Sequence, residues 1–179
     1  LVVSSNVTEE QNIVAVPIKK AVRNGASLIV IDPRETELTR YATRWLRPVP
    51  GSETALIGGM LRVIIDESLD SHEFLADRCE NAKIRRDSLW QFDLIKVSAL
   101  TAIPQLETQE AARLLAASSP CAFLYALDTL EPEWRDSCGR AIINLALVTA
   151  NVGRPSAGLY PLLNGANIQG ARDIGCVPD

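Results

Sequence analysis

The sequence predicts an α/β domain, an open, mostly parallel sheet with helices on both faces. Three observations carry that expectation. Residues 1–31 read as strand, helix, strand. Residues 26–31 (ASLIVI) and 121–127 (CAFLYAL) are continuous apolar runs, the pattern of strands buried on both sides. Helical periodicity fills most of the sequence between them.

Taken in order, Leu1-Val2-Val3 is a strand, and a strand at residue 1 implies an upstream partner in a longer chain. A helix is expected over about 8–24. Thr8 and Gln11 form a capping-box pattern at its start, Ile13, Val14, Val16, Ile18, Ala21 and Val22 its apolar face, and Gly25 its stop. Pro17 inside this span predicts a kink or a later start. After the second strand, Asp32-Pro33-Arg34 turns into a short helix ending near Tyr41, and Trp45-Leu46-Arg47 forms a third strand. Pro48, Pro50 and Gly51 form a loop ahead of a helix over 53–67, with Ala55, Leu56, Met60, Val63 and Ile64 inward. Helices are expected near 71–79, 87–95 and 105–118, and a central buried one over 139–151. Residues 151–179 hold five glycines and three prolines and show few signs of regular structure. The division is therefore an α/β unit over 1–150 and a Gly/Asn-rich segment over 151–179.

Composition narrows the function. Of 179 residues, 47% are hydrophobic and 22% charged, enough to bury a core without disulfides or metals. Eighteen basic residues against 22 acidic ones leave no excess to neutralise a phosphate backbone, which argues against nucleic acid. The longest apolar run, 141–150, is ten residues, whereas a bilayer span needs roughly 20. Cys79, Cys121, Cys138 and Cys176 have neither zinc nor iron–sulfur spacing and read as reduced thiols of a cytoplasmic protein. The single histidine, His72, reads as a solvated residue at a helix start.

Chemistry is expected at the carboxyl ends of the strands, where open parallel sheets bind ligands. Asn6 follows the first strand and Asp32 ends the second, where an acid can accept hydrogen bonds from a ribose diol or a guanine edge. No GxGxxG is present, and on spacing alone both residues read first as turn and cap residues. Ser52 and Glu53 open the next helix, as a cap and a first-turn acid. Asn6, Asp32 and Glu53 nevertheless fall at loops that a doubly wound sheet gathers on one rim. The amides of Asn164, Asn167 and Gln169 lie among glycines that permit close approach to a ring ligand.

These residues also carry a resemblance. Ser5-Asn6-Val7-Thr8-Glu9, the run from Lys19 through Asp32-Pro33-Arg34 to Thr36, and Pro50-Gly51-Ser52-Glu53 with Ala55-Leu56 are similar, in order, to the molybdopterin oxidoreductase superfamily. Asn151-Val152-Gly153-Arg154-Pro155 and Asn167-Ile168-Gln169-Gly170-Ala171 with Asp173 and Gly175 resemble its later signatures. The branch resembled is the formate dehydrogenase catalytic subunit and the large iron–sulfur subunit of NADH–quinone oxidoreductase. The resemblance implies a Rossmann-like domain, like domain 2 or 3 of formate dehydrogenase, that holds half of a bis(molybdopterin guanine dinucleotide) with molybdenum or tungsten. It implies Asn6 and Glu9 beside the phosphates and ribose, Asp32 and Arg34 lining the guanosine pocket, Ser52 and Glu53 closing it, and Asn167 and Gln169 facing the cofactor. Other domains of the same chain and iron–sulfur or NADH-linked subunits are the implied partners. A cytoplasmic location, peripheral to the membrane's inner face through a complex, is implied as well.

Two departures from that pattern are visible. Leu163 stands where formate dehydrogenases carry an arginine next to the metal, and Asp128 stands in the turn that approaches the second pterin. They point to a second reading, a structural domain of a respiratory-complex subunit with a vestigial, empty site. A thiamine-diphosphate enzyme's middle domain is a third, opposed by the motifs in 151–179. No catalytic residue is expected in this stretch, and it is not expected to be active alone. Asp32→Ala is expected to weaken guanine retention with little effect on folding.

Overall fold

The segments with the strongest apolar runs pair side by side in one direction. A computed structural model describes residues 1–80, 88–128, 130–163 and 167–176, with only the backbone at Gln169 and Arg172. Its strands are β1 (Val2–Val3), β2 (Ile29–Ile31), β3 (Arg44–Leu46), β4 (Ala122–Tyr125) and β5 (Gly158–Pro161), in the spatial order β3-β2-β1-β4-β5. All four pairings are parallel, with Val3 opposite Ile31 on one side and Tyr125 on the other.

The helices are α1 (Val7–Glu10), α2 (Asn12–Arg23), α3 (Glu53–Asp66), α4 (His72–Arg78), α5 (Leu94–Thr101), α6 (Gln105–Ala117), α7 (Pro132–Val148) and α8 (Ile168–Asp173). Short 3₁₀ turns occupy Glu37–Tyr41 and Leu89–Gln91. Because successive strand residues point to opposite faces, the sheet has two cores. Leu1, Val3, Ile29, Ile31 and Phe123 pack on one face with Leu56 and Met60 of α3, Leu115 of α6 and Ile142 of α7. Val2, Leu28 and Val30 pack on the other with Val7 of α1, Ala15 of α2 and Leu38. This is the α/β architecture the sequence predicts, helices on both faces included.

Element boundaries differ where local chemistry outweighs periodicity. The helix expected over 8–24 breaks at Gln11 into α1 and α2, and the capping box does not form. Thr8 Oγ1 donates to Asn6 Oδ1 at 3.0 Å, while the Gln11 amide donates to the Leu163 carbonyl at 2.9 Å. Starting later, α2 keeps Pro17 inside it. It lays only Val14, Ala15, Ile18 and Val22 on the sheet, leaving Ile13 91% and Val16 61% exposed. Gly25, at φ +94°, terminates α2 as expected, and Ala26 N–H donates back to the Ala21 carbonyl.

In place of a helix over 87–95, a 3₁₀ turn at Leu89–Gln91 precedes α5, which Asp93 caps by accepting Ile95 N–H (residue 87 lies outside the described residues). The first turn of α7 forms at Pro132, seven positions before the expected start, since proline is at home at the first helical position. Nor is α7 buried all round, because Ile143 is exposed. Within 151–179, β5 and α8 are regular structure that a few residues each are too short to announce by periodicity.

Two glycines set how closely α3 can be approached. A Cβ on Gly58 would overlap the Phe92 ring, and one on Gly59 would crowd Val97. Gly58→Val is therefore expected to cost roughly 2–3 kcal/mol through overpacking. It would be read as a lower urea midpoint at unchanged slope, and an unchanged midpoint would mean that Phe92 yields freely.

Candidate functional site

With β1, β2 and β4 adjacent and parallel, the turns that follow them emerge on one rim. The chain leaves β1 toward β2 on one side, and β4 lies on the other, so the gap between β1 and β4 is the topological switch point. A cavity of about 400 Å³ opens on this rim, within the ~300–1,000 Å³ common for small-molecule sites. Ser4 after β1, Asp32 and Arg34 after β2, Gly51 and Glu53 at the head of α3, and Glu131 and Trp134 around the head of α7 line it.

Asp32 is fully buried, and its carboxylate accepts three bonds from Arg34. The Arg34 backbone N–H and Nε reach Oδ1 at 2.8 and 3.1 Å, and Nη2 reaches Oδ2 at 3.2 Å. Its carbonyl accepts the Trp45 indole N–H at 3.0 Å. This two-point fork fixes the plane of the guanidinium, whose side chain stays 49% exposed. The carboxylate bond first, and the nearby charges of Asp32, Glu10 and Glu9 with it, hold the Arg34 pKa above its ordinary value.

Glu53 is 2% exposed, in the first turn of α3. Burial pushes its pKa up, and the charge of Asp32 adds to this, while hydrogen bonds from the Glu53 and Gly51 backbone N–H groups oppose it. Behind it lies the buried thiol of Cys138, whose pKa is pushed up to about 12 by burial and by Glu53. The cavity thus presents two buried carboxylates and one oriented cation against a partly apolar wall. Such a set accepts hydrogen bonds from a neutral donor edge. The hydroxyl of Ser5, buried at the end of β1, has no hydrogen-bond partner among the described residues.

Of the residues the sequence singles out, Asp32, Arg34 and Glu53 line this one cavity. Asn6 is half-buried on the same rim, its side-chain oxygen engaged by Thr8, and Glu9 is exposed. Ser52 precedes α3, but its hydroxyl donates to the Val49 carbonyl at 2.6 Å and makes no capping bond to the helix. Asn167, at φ +59°, lies exposed ahead of α8, whose backbone includes Gln169. Asn164 and the Gln169 side chain lie outside what the structure describes. Asp128 and Leu163 line a second cavity of about 420 Å³ with Arg135, Asp136 and Arg140, beyond β4 and β5. His72 is exposed, 3.0 Å from Asp70.

Trp134 and Glu131 are absent from the sequence-based set. A helix start placed at 139 leaves them in a loop, and Pro132 was the signal that would have moved it.

The family description "Molybdopterin oxidoreductase" matches residues 1–179, the whole chain. The chain belongs to the molybdopterin oxidoreductase family. This molybdopterin oxidoreductase domain is 35% identical to the F420-dependent formate dehydrogenase 2 subunit alpha of Methanococcus maripaludis, over all of this chain and 26% of that protein. It is 34% identical to formate dehydrogenase H of Escherichia coli, over 97% of this chain and 24% of that protein. Among solved structures, acetylene hydratase from Pelobacter acetylenicus matches with a TM-score of 0.81 at 28% identity, over 87% of this chain and 22% of that one. The chain spans about a quarter of the length of these relatives. Family membership implies a molybdopterin cofactor carrying molybdenum or tungsten.

Proposed function

We propose that this domain holds the nucleotide end of a molybdopterin guanine dinucleotide within a formate dehydrogenase-type subunit. The observation that carries the reading is the pair of buried carboxylates, Asp32 and Glu53, with Arg34 in one cavity at the switch point. The donor chemistry fits. A guanine presents N1–H and N2–H₂ side by side, and Glu53 is a buried acceptor held by two backbone N–H groups. By analogy with paired contacts to bases, that match is worth ~1–3 kcal/mol against adenine, which has no such donor pair. Asp32 holds Arg34 in plane and keeps acceptor capacity for a ribose hydroxyl. Asn6, Glu9, Asn167 and Gln169 are assigned to the edges of the same ligand, where polar groups meet phosphate-linked hydroxyls through water.

When bound, the molybdopterin supplies the metal-centred redox chemistry of the whole subunit. The residues here bind, orient and exclude water. The partners under this reading are the other domains of the subunit and iron–sulfur or NADH-linked redox proteins, in the cytoplasm.

A second reading, a structural domain with an empty site, is favoured by Asp128. It places a carboxylate in the cavity beyond β4, which would oppose an anionic pterin there, although Arg135 and Arg140 line the same cavity. Acid release of nucleotide from the full-length subunit separates the two. GMP together with molybdenum or tungsten is expected. Pterin without GMP contradicts the guanine reading, and absence of both pterin and metal leaves the structural one.

A further inference from the structure

We infer that Trp134 is the stacking platform of this cavity, the surface on which the flat face of a purine rests while Glu53 reads its edge. The inference rests on the guanine reading above and adds the residue that supplies affinity without regard to which purine is bound.

Trp134 is the third residue of α7, and its ring lines the cavity that Asp32 and Glu53 share. Large aromatic side chains are normally drawn into a core, yet this one is 43% exposed. It is held there from two sides. Its backbone N–H donates to the Glu131 carbonyl at 2.9 Å, and its carbonyl accepts Ser137 Oγ at 2.9 Å, so its position on α7 is fixed. Its six-membered ring lies against Gly51, where a Cβ would overlap it, and Gly51 takes φ +86°, a conformation that suits glycine. The loop ahead of α3 thus makes room for the indole, in the cavity that Glu53 also lines. An aromatic face fixed at a wet cavity edge offers stacking at little entropic cost. Base–aromatic stacking is tolerant of base identity, because every base has a π-face.

The two residues therefore make separable contributions. Glu53 sets the choice between guanine and adenine, and Trp134 sets affinity for both. The test uses GDP and ADP as probes on the cofactor-free full-length subunit, titrated by calorimetry. Trp134→Leu is expected to weaken GDP and ADP by a similar factor, about tenfold, with their ratio unchanged. Trp134→Phe, which keeps an aromatic face, is expected to recover most of the loss. Equal GDP affinity in wild type and Trp134→Leu overturns the inference and leaves the guanine reading intact. An equal loss in the Phe and Leu variants overturns it too, assigning Trp134 to the shape of the Gly51 loop. No GDP binding by the wild type overturns the guanine reading itself, and the stacking role with it.

Discussion

Glu53→Gln is expected to make the protein more stable at neutral pH and less able to distinguish guanine from adenine. Burial raises the folded-state pKa of Glu53 above its ordinary value. A group shifted in that direction contributes most to stability below the unfolded pKa, and that contribution is lost as pH rises through the folded one. Once ionised, Glu53 is a charge that burial disfavours. Glutamine removes the charge and keeps a carbonyl oxygen to accept from the Glu53 and Gly51 backbone N–H groups. A gain of roughly 0.5–2 kcal/mol is expected at pH 7, the scale of removing one unfavourable functional feature. It should shrink toward acid, where the wild-type carboxyl is protonated as well. Urea unfolding of both proteins across that range measures it. Discrimination should fall by about tenfold or more, because glutamine replaces one acceptor oxygen of the carboxylate with an NH₂ donor, which cannot accept from the guanine edge. A variant that is less stable at pH 7 would show that the backbone N–H groups and helix terminus outweigh desolvation.

Asn151→Ala should be the most damaging single substitution outside the hydrophobic core. Asn151 is fully buried at the end of α7. Its Oδ1 accepts the Cys121 N–H at 2.8 Å, and its Nδ2 donates to the Thr149 carbonyl and hydroxyl at 3.1 and 2.9 Å. One side chain thus ties the exit of α7 to the entry of β4, and alanine strands polar groups on both elements. Each buried group left unpaired costs about 1–3 kcal/mol, so a loss near 3 kcal/mol is expected in chemical denaturation. A loss below about 1 kcal/mol would mean that water takes over these bonds.

The sheet was legible because its strands carry the signal that strands buried on two sides must carry, unbroken apolar runs such as 28–31 and 122–125. Their neighbours were legible through periodicity, as with Leu56, Met60 and Ile64 of α3. What the sequence hides is decided by contacts between distant segments. Ile13 and Val16 look like core, yet α2 can offer the sheet only one face. Gly58 reads as a weak helix residue until Phe92 is seen against it. Four residues of β5 carry too little pattern to stand out among glycines.

The site divides in the same way. Asp32 and Glu53 could be placed on one rim from the order of strands alone. That Arg34 folds back onto Asp32 could not, and it changes an expectation: three hydrogen bonds depend on that carboxylate, so Asp32→Ala now carries a folding cost as well as a binding one. Trp134 escaped because it reaches the rim from α7, about 80 residues away in sequence from the loop it touches.

The most direct measurement is photolabelling of the cofactor-free full-length subunit with 8-azido-GDP, followed by peptide mapping. Label on the segments 32–34, 50–53 or 130–134, competed by GDP, is the predicted result. Label confined to the opposite end of the sheet, around Phe74 and Arg154, would contradict the account.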